Sequence, residues 1–307
     1  QKNYTGTGSS LALTGVGFQP DFTWIKNRTA GSGADHILID SVRGATKALN
    51  SNDNSIEDTI SNSLTAFGTD GFTVNGNGAT GASGDTYASW NWKAGGAAPT
   101  QTYKVVVVSD SGNKYRFRNT ADTATFGASA VTLDLQEGGT YTFDVSDSTL
   151  NSHPFVIGTA ANGTEYSTGV TYKLDGVTKT YSQYTSGFSA ATSRQLIITV
   201  ANSAPALYYW CSAHSGMGGA INTNTTFGSS NFDGNIQTLV STNTTAGFSI
   251  VKWTGDGSAS ATIGHGLGGK IDQVWQKDLT ATDSWHIFSK GMSSGYNMYF
   301  NNNSVQL

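Results

Sequence analysis

Charge is scarce in this sequence. Asp, Glu, Lys and Arg make up 12% of its 307 residues, against about 25% in an average soluble domain. The 17 Lys and Arg form no stripe and the net charge is −4. Affinity for nucleic acid draws on basic side chains that neutralise phosphates, so no nucleic-acid partner is expected. Long apolar runs are missing too. Nothing approaches the ~18 consecutive apolar residues of a membrane-spanning helix, so no membrane insertion is expected. One cysteine excludes an internal disulfide framework. The chain starts at Gln1 without Met and shows no secretory leader, which reads as a mature product or a window of a longer chain.

What is present points to β structure. Glycine is abundant, at 38, and proline scarce, at 4, with Thr, Ser and Asn filling much of the rest. Thr and aromatics fit a pleated surface, and Gly supplies the positive φ of tight turns. The expected fold class is all-β, and the length allows two or three domains. An internal repeat supports this. Tyr4-Thr5-Gly6-Thr7-Gly8-Ser9 matches Trp253-Thr254-Gly255-Asp256-Gly257-Ser258. Further on, Asp21-x-x-Trp24-x-Lys26 matches Asp272-x-x-Trp275-x-Lys277, and His36-Ile37 matches His286-Ile287. The matches keep their order over about fifty residues, which marks a duplicated unit.

The pattern divides the chain into a first β-sandwich module at 1–95, whose start looks clipped, a Gly/Ala/Pro linker at 96–100, a different β domain at 101–222, an Asn/Thr-rich connector at 223–246, and a second copy of the module at 247–307. The second copy stops before any counterpart of Phe72 to Trp92 and reads as incomplete. Asp175-Gly176 between short β-branched runs predicts a hairpin. Ser55 to Leu64 is the only stretch read as helical.

The run Tyr208-Tyr209-Trp210-Cys211-Ser212-Ala213-His214-Ser215-Gly216-Met217 places Cys, His and Met on one short loop after an aromatic strand. His153 lies upstream, between strands. One thiolate, two imidazoles and a weak thioether are the donor set of a blue-copper centre. On these residues the segment 101–222 resembles a cupredoxin domain with a short ligand loop of the amicyanin kind. The resemblance implies a Greek-key β-sandwich and a copper site made by His153, Cys211, His214 and Met217. Zinc is the rival ion, since Cys and His also suit it. The alternative is a site that stays empty and whose Cys and Met serve as core packing.

Other motifs carry less. Gly76-Asn77-Gly78-Ala79-Thr80-Gly81 has nucleotide-loop spacing, but a strand rather than a helix follows, so it reads as a glycine loop. His36 and His286 read as sheet histidines, and His265 faces Val16 in the other copy. No catalytic triad or carboxylate pair can be assembled, so no enzyme is expected. Tyr87, Trp90 and Trp92 alternate along a strand and form a weak candidate glycan-binding platform, against the plainer reading as core.

The segment from Tyr4 to Arg28, Y-T-G-T-G-S followed by G-F-x-P-D-x-x-W-I-K-N-R, is similar to concanavalin-like, jelly-roll β-sandwich modules in fibre proteins of marine and cyanobacterial tailed phages. That resemblance implies a virion protein, a tail fibre or capsid-decoration fibre. It would self-associate into a fibre or symmetric oligomer, contact other virion proteins and meet a host-surface glycan. A secreted or cell-surface bacterial adhesin and a copper electron-transfer protein are the alternatives.

Overall fold

The computed structural model describes residues 1–29, 34–119, 121–122, 126–224, 226–293 and 296–302. The chain is all-β, with 42% of residues in strands and 3% in helix. No helix among the described residues is long and apolar enough to cross a membrane. The chain divides into two units, one of Gln1–Gly96, Thr242–Ile250 and Leu267–Leu307, the other of Ala97–Ser241 and Val251–Gly266.

The first unit contains β1 (Lys2–Thr5), β2 (Leu11–Leu13), β3 (Phe22–Asn27), β4 (His36–Asp40), β5 (Lys47–Asn50), β6 (Asp58–Thr59), β7 (Leu64–Gly68), β8 (Gly71–Val74) and β9 (Thr86–Trp92). One sheet runs β1-β9-β3-β4-β5-β6 and a smaller one β2-β8-β7. Side chains alternate faces along each strand. In β3, Thr23, Ile25 and Asn27 turn inward and are buried. Ile25, Ile37, Ile39 and Tyr87 of the large sheet meet Leu13, Leu64, Phe72 and Val74 of the small one in a single core. The result is a two-layer sandwich.

The opposite face of the large sheet carries Phe22, Trp24, Leu38 and Leu49, which cluster with Trp275, Leu279, Trp285 and Phe300 of the second copy. Trp285 Nε1 donates to the Asn50 carbonyl at 2.7 Å. The strands Gln273–Gln276 and His286–Ser289 pair antiparallel, as their counterparts β3 and β4 do. A lone two-stranded hairpin cannot hide its apolar face by itself. The described residues from Leu267 to Asn302 thus fall within the first unit.

The repeated T-G-x-G-S loop has a packing reason in its first copy. Gly8 N–H donates to the Gly81 carbonyl, and a Cβ on Gly6 would lie 2.3 Å from the Ala82 oxygen. The glycine-spaced stretch at 76–81 is therefore the partner of this loop. In the second copy Gly255 faces open space.

The expected helix at Ser55 to Leu64 does not form. The segment holds β6, paired with β5, and a turn. Its Asn, Ser, Asp and Thr side chains compete for the backbone, as when Asp58 accepts the Thr59 N–H. The helix lies elsewhere, at α1 (Tyr181–Gly187), closed by a Thr180–Gln183 capping box.

The second unit contains β10 (Thr100–Ser109), β11 (Asn113–Arg118), β12 (Leu133–Gln136), β13 (Thr140–Asp144), β14 (Phe155–Gly158), β15 (Val170–Leu174), β16 (Val177–Lys179), β17 (Arg194–Thr199), β18 (Leu207–Cys211) and β19 (Gly219–Asn224). The expected Asp175-Gly176 hairpin is the turn joining β15 to β16. Sheets in the order β11-β10-β13-β17-β15-β16 and β12-β19-β18-β14 enclose a core rich in aromatics. The stretch read as connector carries β20 (Ser229–Asn231) and β21 (Thr238–Asn243). Ser229 and Ser230 lie against this core, where Tyr103 and Tyr141 bond to them.

Candidate metal centre

Two neighbouring strands bring the donors together. In the β14–β18 pair, Phe155 faces Cys211. Cys211 closes β18, and His153 stands just before β14. A short 3-10 turn, Ser148–Leu150, capped by Asp147, delivers His153, whose N–H donates to the Leu150 carbonyl at 2.7 Å. Ser212 N–H donates to the Pro154 carbonyl at 3.1 Å and ties the two arms. The chain then reverses tightly into β19. A Cβ on Gly218 would fall 1.8 Å from the Tyr209 carbonyl oxygen, so only glycine fits this turn. His214 lies on the loop, three residues after Cys211.

His153, Cys211 and His214 form the one donor cluster among the described residues. His153 Nδ1 is 3.0 Å from His214 Nδ1, and the Cys211 sulfur is 3.9 and 3.7 Å from these two nitrogens. A point equidistant from the corners of a triangle with sides of 3.0, 3.7 and 3.9 Å lies about 2.1 Å from each. That is an ordinary metal–nitrogen distance and close to a metal–sulfur one. The three donors are thus close enough together to hold one ion. Imidazole nitrogens and a thiolate are donors that copper and zinc both accept.

The surroundings are mostly apolar. His153 and Cys211 are buried and His214 is exposed. Burial, and after it the neighbouring His214 charge, holds the His153 imidazole below its usual range. Burial pushes the Tyr115 phenol up, helped by Cys211 beside it. Met217 is buried in the same core, and its carbonyl accepts the Tyr115 N–H at 2.9 Å. Three residues at the start of β11 went unnoticed in the sequence. Asn113 reaches His153 Nε2 at 3.4 Å. Lys114 Nζ donates to the Gly216 carbonyl. Tyr115 Oη donates to the His153 carbonyl at 2.9 Å. No spacing motif links them to a loop about 100 positions away, and only the fold brings them near.

The aromatic trio separates. Tyr87 turns inward, stacks on Tyr4 at 5.0 Å and donates to the Gly78 carbonyl. It is core, because odd positions of β9 face the small sheet. Trp90 and Trp92 share the other face, where Trp92 packs on Phe22 and Phe248. Trp90 is 41% exposed and is the only one of the three that offers an open ring.

The chain matches the model of a domain of unknown function, DUF7483, twice, over residues 1–203 and 179–307. No curated protein matches it. No solved structure matches it. The two matches together span the sequence, so this duplicated all-β chain, with its His153–Cys211–His214 cluster, belongs to the DUF7483 family.

Proposed function

We propose that the protein is a structural component of a virion surface, a fibre or decoration protein. In this reading its second unit is a cupredoxin-like domain that binds one copper ion. The observation that carries the copper reading is the donor triangle of His153, Cys211 and His214, whose centre suits an ion at bonding distance. Met217, buried on the same loop, would be the weak fourth ligand. Bound copper supplies a thiolate-to-metal charge transfer and a one-electron couple. The chain's own residues would hold the ion, Cys211 through its sulfur and both imidazoles through Nδ1. The clamp between Ser212 and Pro154 keeps the arms in place. Tail-fibre resemblance in the repeats supports the virion role. So does the packing of Trp24 on Trp275 at 6.0 Å, which brings equivalent faces of the two copies together.

Adding copper(II) to the reduced, metal-free chain should give one bound ion and an intense visible band. Cys211→Ser should abolish the band. A colourless product, or a band that survives Cys211→Ser, refutes the site. For the structural role, sedimentation should show a symmetric oligomer; a stable monomer at high concentration argues against a fibre.

One observation favours electron transfer instead. His214 is exposed, and an exposed ligand edge is what a redox partner needs. Fast reversible reduction of the copper-loaded chain, with no change in assembly, would favour that reading.

A further inference from the structure

We propose that Arg194 is the positioning residue for the upstream arm of the donor cluster: from β17, its buried guanidinium fixes the turn that carries His153. This rests on the metal reading above. It deepens that reading with a residue that touches none of the donors.

Arg194 opens β17 and is 2% exposed, so its charge lies in the core. Taking a guanidinium out of water is costly unless partners satisfy it, and a carboxylate is the usual one. Among the described residues no carboxylate lies within ion-pair distance of Arg194. Its donors go to main-chain oxygens instead. Nη2 donates to the Ser146 carbonyl at 2.8 Å and to the Asp147 carbonyl at 2.9 Å, and Nη1 reaches the Phe188 carbonyl at 3.5 Å. The guanidinium also lies over the Phe188 ring, 4.7 Å from its centre. Carbonyl dipoles and an aromatic face thus stand in for a counter-ion. They do so only while those oxygens keep their places, so the side chain acts as a latch on the backbone.

What it latches is the entry to the ligand arm. Ser146 and Asp147 lead from β13 into the 3-10 turn Ser148–Leu150. The Asp147 carbonyl that takes Nη2 also accepts the Leu150 N–H at 3.0 Å, and the Leu150 carbonyl accepts the His153 N–H at 2.7 Å. Hydrogen bonds therefore run from Arg194 through the turn to the amide of the ligand itself. The Ser146 hydroxyl accepts the Arg194 N–H at 3.0 Å, which ties the same residue to β17 a second time. Beyond the turn, the Ser189 hydroxyl donates to the Asn151 carbonyl, and the Tyr184 hydroxyl donates to the Phe155 carbonyl at 3.1 Å. Tyr184 belongs to α1, and Phe188 and Ser189 follow it. By covering Phe188 and holding Ser146 and Asp147, Arg194 joins the end of this helix to the turn.

The donors arrive on two arms. Cys211 and His214 share one loop, and their 3.7 Å separation does not depend on the turn. His153 comes on the other arm, and its separations of 3.0 Å from His214 and 3.9 Å from Cys211 do. The tie between Ser212 and Pro154 lies after His153 and leaves the turn before it unheld. Removing Arg194 should therefore loosen one corner of the donor triangle and leave the other two in place. A metal site that is loose at one ligand loses affinity and a uniform ligand geometry.

The test uses the full chain. Arg194→Met keeps a long stem in the core and removes the latch. Arg194→Lys keeps a charge and N–H donors without the planar fork. In the metal-free protein, exchange of the Leu150 and His153 amides should speed up in Arg194→Met and less in Arg194→Lys, with the Ser212 amide unchanged. Copper(II) affinity should fall about tenfold or more in Arg194→Met. The charge-transfer band should shift or broaden, and Arg194→Lys should recover part of both losses. Tyr141→Phe is the control, because it weakens the same core without touching the turn; it should keep the wild-type band and affinity. Wild-type affinity and band in Arg194→Met would overturn the proposal. So would an equal loss in Tyr141→Phe, which would make the effect one of general stability. If Arg194→Met does not fold, Arg194→Lys against wild type decides in the same way. If the wild type takes up no copper, the metal reading falls, and exchange of the Leu150 and His153 amides still decides whether Arg194 holds the arm.

Discussion

Tyr103 and Tyr141 place two phenols in the core of the second unit, with parallel rings 6.2 Å apart. Tyr103 Oη donates to the Ser230 carbonyl at 2.7 Å, an oxygen that also accepts from Gln101. Tyr141 Oη accepts the Gln136 N–H at 2.8 Å and pairs with the Ser229 hydroxyl at 2.6 Å. Deleting the first phenol oxygen leaves a carbonyl with another donor, whereas deleting the second takes a partner from two buried groups. Tyr103→Phe should therefore cost about 0.5–1.5 kcal/mol and Tyr141→Phe about 1–3 kcal/mol. Urea unfolding of the two variants checks the order, and equal costs would refute the argument. At the surface, Asp70 accepts N–H groups from Gly15 at 2.8 Å and Gly17 at 2.6 Å, which hold its carboxyl below the usual range. A lowered carboxyl pKa stabilises above the unfolded value and fades as pH falls through the folded one. Protection of the Gly15 and Gly17 amides should thus drop below about pH 4, and Asp70→Asn should show the loss already at neutral pH. The same scale explains what could be read of the site. Cys211, His214 and Met217 share one loop, so their chemistry shows in a dozen letters. Asn113 lies beside His153 only because β11 begins there, and no local pattern encodes that.

At the scale of elements, alternation in the strands was legible because each has one buried face. Ile25 and Trp24 differ by one position and point to opposite sides of the sheet. The same rule undid the aromatic trio, since Tyr87 and Trp90 differ by an odd number of positions. Short helices were harder. Ser55 to Leu64 offered length without a hydrophobic stripe, and its polar side chains bonded to backbone instead. Thr180-x-x-Gln183 is a complete capping signal, but the helix it starts has seven residues and buries little beyond Tyr184. The cap should matter in proportion. Thr180→Ala should destabilise the second unit by about 1 kcal/mol, while Thr180→Ser should cost only a small part of that. Unfolding curves for the two variants give the comparison, and an unchanged Thr180→Ala midpoint would show that the helix is held by Tyr184 alone.

Across the whole molecule, the duplication was visible as matching letters, yet which faces meet was not. The structure sets the matching Trp24 and Trp275 against each other outside the first sandwich core. Trp285 is the most buried of the second copy's tryptophans in this cluster and also carries a hydrogen bond to Asn50. The His153–Cys211–His214 cluster, by contrast, lies wholly in the second unit. The two perturbations should therefore report on different residues. Copper at a thousandfold excess over its dissociation constant stabilises the state that binds it by about 4 kcal/mol. Hydrogen exchange should slow in β14, β18 and β19 on loading, with β3 to β5 unchanged. Trp285→Ala, a large cavity worth about 3–5 kcal/mol, should speed exchange in β3 to β5 and leave the copper effect on β18 intact. If copper slowed exchange in β3 to β5 as much as in β18, the assignment of the ion to the second unit's own stability would fail. If Trp285→Ala left β3 to β5 unchanged, the second copy would not be what covers that sheet.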